Sequence, residues 1–407
     1  MHVADASNNA VSGLKTENGR ITIAATSPIF DLLTSITSTI HSNIEHSEPR
    51  VRSLIGRTVG AYALLTTGLV IRLADGNASE SVCMSDELTH KVEGLQPLRK
   101  EVHDAILKSL KFHFEMKRAE VVPAKDSPGN VGNEANSEQH KLSKASDGAL
   151  DDTSGRRALE TNLHALAGYI DGCCVSPPAP TDIYPGSYLK EQSQLFNESN
   201  WFLQGLEYCS VTHVNRHVRA ASSAVLGVLV STCMKCHSHE MLLDSPLRDV
   251  IKESLKANLA DNWSQVRMAG SVLCRKFVVA LLSIREENAN GEEEEDLTMF
   301  ESSVGEMVPM LLPRMCLNRF YLAQGVKLYS QDTWKMIFGS NEKHESLIEG
   351  EEKEDEGLHS SESCRGGGGM GAVARNAAPL CRYYSRMCDA DNHAVREVGK
   401  YLVICFV

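Results

Sequence analysis

Four segments of this 407-residue chain begin with a Val-Arg dipeptide just after a short turn. They start at Val51, Val218, Val266 and Val395. In each segment the positions 3, 4, 7, 8 and 11 residues after the Val are largely small or apolar, and these positions lie on one face of an α-helix. The intervals between successive Val residues are 167, 48 and 129 residues, close to four, one and three units of about 40 to 47 residues. The recurrence therefore predicts an array of helical repeats.

The fourth position after the Val is occupied by a small residue in three of the segments. These residues are Ser222, Gly270 and Gly399. Because a small side chain leaves room above the helix, we expect a neighbouring helix to approach closely at each of these positions.

Two helix-start signals precede these segments. Ser27 is followed by Pro28, and Ser245 by Pro246, so that each site combines an N-cap hydroxyl with a proline in the first turn. Apolar residues at helical spacing follow both signals, which predicts a first helix before each second helix. These residues are Phe30, Leu33, Ile36, Ile40 and Ile44 in one helix and Leu247, Val250, Ile251, Leu255 and Leu259 in the other. Weaker helical patterns run over residues 95–114, 159–170, 188–208, 299–312 and 320–338.

The four Val-Arg segments resemble the second helices of HEAT repeats, the antiparallel helix pairs of armadillo-like α-solenoids. This resemblance implies an all-α fold, a right-handed α-solenoid of antiparallel HEAT-type helix pairs interrupted by disordered loops. It also implies that the early Arg of each second helix joins a ladder with Asp or Asn residues in the turns of adjacent repeats. The implied ladder residues are Arg52, Arg219, Arg267 and Arg396, and the turns before them contain Glu48, Asn215, Asp261-Asn262 and Asp391-Asn392.

Composition along the chain predicts where the array is interrupted. We expect a flexible N-terminus over residues 1–25, N-terminal HEAT-type helix pairs over 26–120 and a disordered linker over 121–156, which is rich in Ser, Asn, Asp, Gly and Lys. Central repeats then occupy 157–340 and include an acidic loop over 286–296. An acidic and Gly-rich disordered insertion follows over 341–372, because dense like charges repel one another and bury nothing. A last, incomplete repeat occupies 373–407, and its apolar end predicts that the chain is part of a longer array.

Net charge and cysteine usage limit the classes of partner and compartment. The formal net charge of −12 argues against a general nucleic-acid binder and favours partners with basic or helical segments. The apolar stretches at 60–71 and 222–234 are shorter than the roughly 20 residues of a membrane span, so we expect no membrane partner. The polar start shows no secretory signal, and the 12 Cys are therefore expected to be reduced thiols of a cytoplasmic, or alternatively nuclear, protein.

One motif suggests metal or haem chemistry. Cys233, Cys236 and His237 match the CxxCH signature of covalent haem attachment, and with His239 nearby they could also be zinc ligands. No second ligand pair stands at a matching distance, and the helix that begins at Val218 should end here. We therefore expect these residues to close that helix, with Cys233 on its buried side, and we predict no cofactor and no metal. No HExxH, GxSxG or phosphate-loop pattern is present either, so we expect no enzymatic activity.

These observations predict a non-enzymatic protein-binding scaffold or adaptor that uses its concave surface or its turns. Trp263, in the turn before Val266, resembles the turn aromatics at the tubulin-contacting edge of TOG-type HEAT arrays, which gives a microtubule binder as one alternative. A carrier or regulatory subunit for basic cargo is another, and it predicts an acidic concave face. A Cys/His metal or haem protein is the third alternative. The candidate binding residues are Trp263 and the four ladder arginines.

Overall fold

A computed structural model describes residues 15–17, 20–22, 28–43, 46, 48–78, 100–115, 153–173, 189, 192–197, 200–288, 299–338 and 369–406. The described part is helical apart from one short hairpin, so the predicted all-α class is confirmed. The chain divides into two compact units, residues 1–206 with 235–237 and residues 207–234 with 238–407. Most of the predicted linker, of the predicted flexible N-terminus and of the two predicted acidic segments lies outside the described residues. Where these segments are described they are ordered: residues 15–17 and 20–22 form strands, and residues 153–156, 286–288 and 369–372 lie in helices.

The first unit begins with a hairpin and continues with helices. Strand β1 (Lys15–Glu17) pairs antiparallel with β2 (Arg20–Thr22). Helix α1 (Pro28–Asn43) and helix α2 (Pro49–Ala78) follow, then helix α3 over residues 100–115 and helix α4 (Thr153–Cys173). A 3-10 turn (Ser193–Phe196) precedes helix α5 (Trp201–Val211), of which only the first residues belong to this unit.

Two pairs of glycines bring α2 and α4 together. A Cβ added to Gly168 would collide with the carbonyl oxygen of Gly56, and one added to Gly172 would lie 2.5 Å from that of Gly60. Neither position has room for a side chain, so the two backbones touch where each helix presents two glycines four residues apart. Helix α3 lies against the same α4, because the ring of His103 stacks on Tyr169 at 4.9 Å.

The second unit consists of helices joined in pairs by short turns. Its elements after α5 are α6 (Arg216–Lys235), α7 (Glu240–Leu243), α8 (Pro246–Asn258), α9 (Ser264–Asn288), α10 (Met299–Val304), a 3-10 turn (Gly305–Met307), α11 (Val308–Arg319), α12 (Gln324–Phe338), α13 (Gly369–Arg375), α14 (Ala377–Met387) and α15 (His393–Phe406). The two members of α8/α9, of α11/α12 and of α14/α15 pack against each other across their turns. Helices α9 and α12 also pack together, whereas α14 and α15 both pack on α11.

Helix starts agree with the signals in the sequence. Helices α1 and α8 begin at Pro28 and Pro246, as predicted. The Ser245 hydroxyl accepts a hydrogen bond from the backbone N–H of Arg248 at 3.3 Å, which satisfies one of the donors left over at a helix N-terminus.

Burial follows the predicted apolar face with one clear exception. Positions 0, 3, 4, 7, 8 and 11 of the segment at Val218 are all buried, and so are most of those at Val266. Leu54, at position 3 of the first segment, is instead 57% exposed, so its predicted place in the apolar seam is wrong.

Helix α6 is the described helix that is long and apolar enough to cross a membrane by length and composition. Most of the apolar window that meets this test is buried inside the protein, as the core helix of a folded unit would be.

Candidate protein-interaction surface

Arg219, one of the four predicted ladder arginines, forms an ion pair with a residue in the turn of the following helix pair. Its guanidinium forms a fork with the carboxylate of Asp261, with Nε to Oδ2 at 3.0 Å and Nη2 to Oδ1 at 3.3 Å. Asp261 lies in the turn between α8 and α9, and Arg219 lies at the start of α6. Nη1 also donates to the carbonyl oxygens of His213 and Val214 in the turn before α6, at 2.6 and 3.2 Å. The side chain therefore ties its own turn to the next turn along the chain.

Arg267 performs the same linkage in the interior of the second unit. Nε donates to the Asp261 carbonyl oxygen at 3.0 Å, and Nη1 donates to the Leu259 carbonyl oxygen at 2.8 Å and to Asn318 Oδ1 at 2.6 Å. The guanidinium lies 4.4 Å from the ring centroid of Tyr321, in the next turn. Only 1% of Arg267 is exposed, and this burial lowers its pKa from the ordinary value.

The other two predicted ladder arginines differ. Nη1 of Arg396 donates to the carbonyl oxygens of Ala390 and Asp391 at 2.7 and 3.2 Å, so it caps its own turn. The turn residue Asn392 instead reaches the Asn262 carbonyl oxygen through Nδ2 at 3.2 Å. The side chain of Arg52 lies outside the described residues.

The tryptophan of the candidate site is on the surface. Trp263 is 51% exposed, and the guanidinium of Arg216, at the start of α6, lies 4.3 Å from its ring centroid. Its backbone N–H donates to Asp261 Oδ1 at 2.8 Å. The ladder carboxylate therefore also fixes the turn that holds Trp263.

Two further exposed apolar side chains stand at almost the same place in other turns. Val214, before α6, is 74% exposed, and Leu322, before α12, is 64% exposed. Val214 and Leu322 are each four residues before the first Val of the following helix, and Trp263 is three residues before it. We call Val214, Trp263 and Leu322, with the stacked Arg216, the turn edge. Large exposed apolar side chains at matched positions are typical of surfaces that meet another protein.

Two related features of the second unit, the Val326-Lys327 dipeptide and Asn318, were not predicted from the sequence. Val326-Lys327 opens α12 just as Val-Arg opens the other second helices, with small Ser330 at its fourth position, but Lys replaces the Arg. Asn318, which accepts from Arg267, stands eight residues before Val326, as Asn258 does before Val266. Setting the chain in register on Val alone would have revealed both.

The CxxCH residues close helix α6, as expected. His237 has a φ of 50°, and the backbone N–H of Ser238 donates to the Cys233 carbonyl oxygen at 2.9 Å. This is the 6→1 hydrogen bond of an α-helix whose C-terminus is followed by a residue in the left-handed backbone conformation, here His237. Cys233 is buried and His237 is exposed. Within the described ranges no three His, Cys, Asp or Glu side chains are grouped so that they could hold a metal ion.

Three thiols of the second unit are unreactive because they are buried. Burial raises the pKa of Cys274 to about 12 and that of Cys316 to about 11, and it raises the pKa of Cys209 still further. Because the thiolate is the nucleophile and the metal ligand, these groups are suited to packing.

Charge is distributed unevenly along the second unit and its surroundings. The described residues 200–288, 299–338 and 369–406 contain 19 Lys and Arg against 14 Asp and Glu. The two intervening segments, 289–298 and 339–368, contain 3 Lys and Arg against 14 Asp and Glu. The helices therefore carry a net positive charge, although the whole chain has a net charge of −12.

Comparison with protein-family models, curated proteins and solved structures gave no match.

Proposed function

We propose that this chain is a non-enzymatic scaffold whose stacked helix pairs present the turn edge to partner proteins. The observation that carries the proposal is the matched row of exposed apolar side chains in three successive turns, at 74, 51 and 64% exposure for Val214, Trp263 and Leu322. Large apolar side chains that are exposed at nearly the same place in three successive turns suit contacts with another protein, whereas the turn before α15 has the polar residues Asp391 and Asn392 there.

Two sets of contacts support HEAT-type stacking within the units. In the second unit, Arg219 and Arg267 join one helix pair to the turn of the next, and α9 packs on α12, as second helices do in a solenoid. In the first unit, residue numbers increase together along α2 and α4, from Gly56 beside Gly168 to Gly60 beside Gly172. They run oppositely along α3 and α4, where His103 meets Tyr169 and Ser109 meets Asn162. This order is expected of antiparallel pairs whose second helices lie parallel.

The test is quantitative affinity capture with two matched variants. Val214→Ser with Trp263→Ala and Leu322→Ser removes the three apolar side chains of the turn edge, whereas Leu328→Ser removes an apolar side chain that is 49% exposed and belongs to helix α12 itself, not to a turn. We expect a set of captured proteins that the triple variant loses and that Leu328→Ser retains. Equal capture by the triple variant and the wild type would rule out the turn edge as the binding surface.

A tubulin-binding function is the second candidate, and two observations favour it. Trp263 is exposed at a turn, and the surrounding helices carry more Lys and Arg than Asp and Glu, which suits an acidic partner such as tubulin. The same charge count gives a carrier of basic cargo less support. Co-sedimentation with microtubules should be reduced by Trp263→Ala and unchanged by Leu328→Ser. Failure of the wild-type chain to sediment would eliminate this candidate.

A further inference from the structure

An open cleft lies between helices α11 and α14 of the second unit, and no residue of the turn edge lines it. Its volume is about 790 Å³, including the solvent at its mouth, which is large enough for several side chains of a ligand. Pro309, Met310 and Tyr383 give it an apolar surface, and Arg314, Arg382 and Arg386 give it positive charge.

Arg314 is held in place before any ligand arrives. Its Nε donates to the Lys256 carbonyl oxygen at 3.1 Å and its Nη1 to the Met310 carbonyl oxygen at 2.8 Å. The guanidinium also lies 4.8 Å from the ring centroid of Tyr383. A guanidinium that is already fixed loses little conformational freedom when it binds an anion.

Arg382 and Arg386 lie one turn apart on the same face of α14, and both are exposed. Two like charges at this spacing repel each other and disfavour the helix. Within the part of the chain that the structure describes, no Asp or Glu forms an ion pair with either of them. The carboxylate that lines the cleft, Glu306, is paired with Lys252 at 2.8 Å, which lowers the pKa of Glu306. The cleft therefore retains a surplus of positive charge.

We propose that this cleft binds a carboxylate-rich peptide segment of a partner protein. Arg382 and Arg386 can each bind a carboxylate with two parallel hydrogen bonds, Arg314 adds positive charge, and the Pro, Met and Tyr surface accommodates the apolar parts of the peptide. The proposal rests on the scaffold function in that it names the chemistry of one partner, but it uses a different surface and different residues.

The test is direct binding of a fluorescent hexaglutamate peptide to the purified full chain, with hexaglutamine as the uncharged probe. Arg382→Gln with Arg386→Gln should weaken hexaglutamate binding about tenfold, because two charge-assisted contacts are lost. The control variant, Lys327→Gln with Lys335→Gln on α12, removes the same charge elsewhere in the unit and should change the affinity less than about twofold. Arg382, Arg386 and Lys335 are exposed and Lys327 is half-buried, and none of them belongs to the core, so circular dichroism should be unchanged in both variants.

A charge swap adds a second arm. Arg382→Glu with Arg386→Glu should abolish hexaglutamate binding and create binding of hexalysine. Equal weakening by the two Gln variants, or no preference of the wild type for hexaglutamate over hexaglutamine, would overturn the proposal. The turn-edge triple variant should bind hexaglutamate normally, so failure of the scaffold proposal and failure of this one give different results.

Discussion

Arg267 makes different contacts from the arginines at the corresponding positions of the other Val-Arg segments. Arg219 is a partly exposed ion-pairing residue, Arg396 caps its own turn, and Arg267 is a buried donor to three acceptors. A buried guanidinium is tolerated only when its donors are satisfied and its charge is compensated, here by carbonyl oxygens, an amide oxygen and the face of Tyr321.

Replacing Arg267 should therefore be costly. In Arg267→Met, the carbonyl oxygens of Leu259 and Asp261 and the side-chain oxygen of Asn318 lose a donor, and we expect the free energy of unfolding to fall by about 3 kcal/mol. The measurement is urea unfolding followed by circular dichroism. Arg396→Met removes hydrogen bonds to a partly exposed turn and should cost less than about 1 kcal/mol. Similar losses in the two variants would contradict the assignment of Arg267 as an internal link.

At the scale of the helix pair, small residues set how closely the two members approach. A Cβ added to Gly270 would lie 2.9 Å from the Cβ of Asn258, and one added to Gly399 would lie 3.0 Å from the Cβ of Met387. In both pairs the contacted residue is 12 positions earlier, at the end of the first helix. The close approach predicted for Gly270 and Gly399 is thus confirmed, and it recurs at the same repeat position.

A pair of Gly→Ala substitutions separates this packing effect from helix propensity. Gly270→Ala should lower the free energy of unfolding by about 2 kcal/mol, because the new methyl group pushes α8 and α9 apart. Gly325→Ala in α12 meets no atom within 4 Å and should raise it by about 0.5 kcal/mol through better helix propensity. Thermal or urea unfolding gives both values. A stabilised Gly270→Ala protein would show that the two helices are not held at this distance.

At the scale of the whole molecule, net charge and surface charge are different quantities. The sum of −12 comes mostly from two segments between helices, while the described helices around them are net positive. The net charge of the whole chain favours basic partners, whereas the positive charge of the described helices favours acidic ones. The cleft with Arg314, Arg382 and Arg386 suits an acidic partner.

Buried thiols should make the second unit less stable as the pH rises into the alkaline range. Cys209, Cys274 and Cys316 have raised pKa values in the folded state, whereas thiols of an unfolded chain titrate near pH 8.5. Above that pH the folded state binds more protons, so stability falls as pH rises. Between pH 8 and pH 9.5 we expect a loss of about 1 kcal/mol for each thiol.

Urea unfolding in the presence of reductant at the two pH values measures this loss. Cys274→Ala should be less stable at pH 8 but should lose about 1 kcal/mol less on going to pH 9.5. A free energy of unfolding that is constant over this range would show that the thiols are accessible to water in the folded state.

The sequence by itself determined the helices and most of their buried faces. Helix starts at Pro28 and Pro246, the buried stripe after Val218 and the end of α6 beyond Cys233 follow from local rules, because capping, proline geometry and 3.6-residue periodicity act within a few residues. The failure at Leu54 marks the limit of such rules, because periodicity identifies an apolar position without identifying what covers it.

Only the tertiary structure decided which residues meet across the repeats. Arg267 and Asn318 are 51 residues apart, and Arg314 and Arg382, which share the cleft, are 68 apart. Nothing local specifies such pairs, because they depend on how one helix pair is placed against another, and that placement is set by packing over many side chains at once. The helices and their apolar faces could be predicted from the sequence, whereas the exposure of the turn-edge side chains and the arginine cleft depend on how the helices pack.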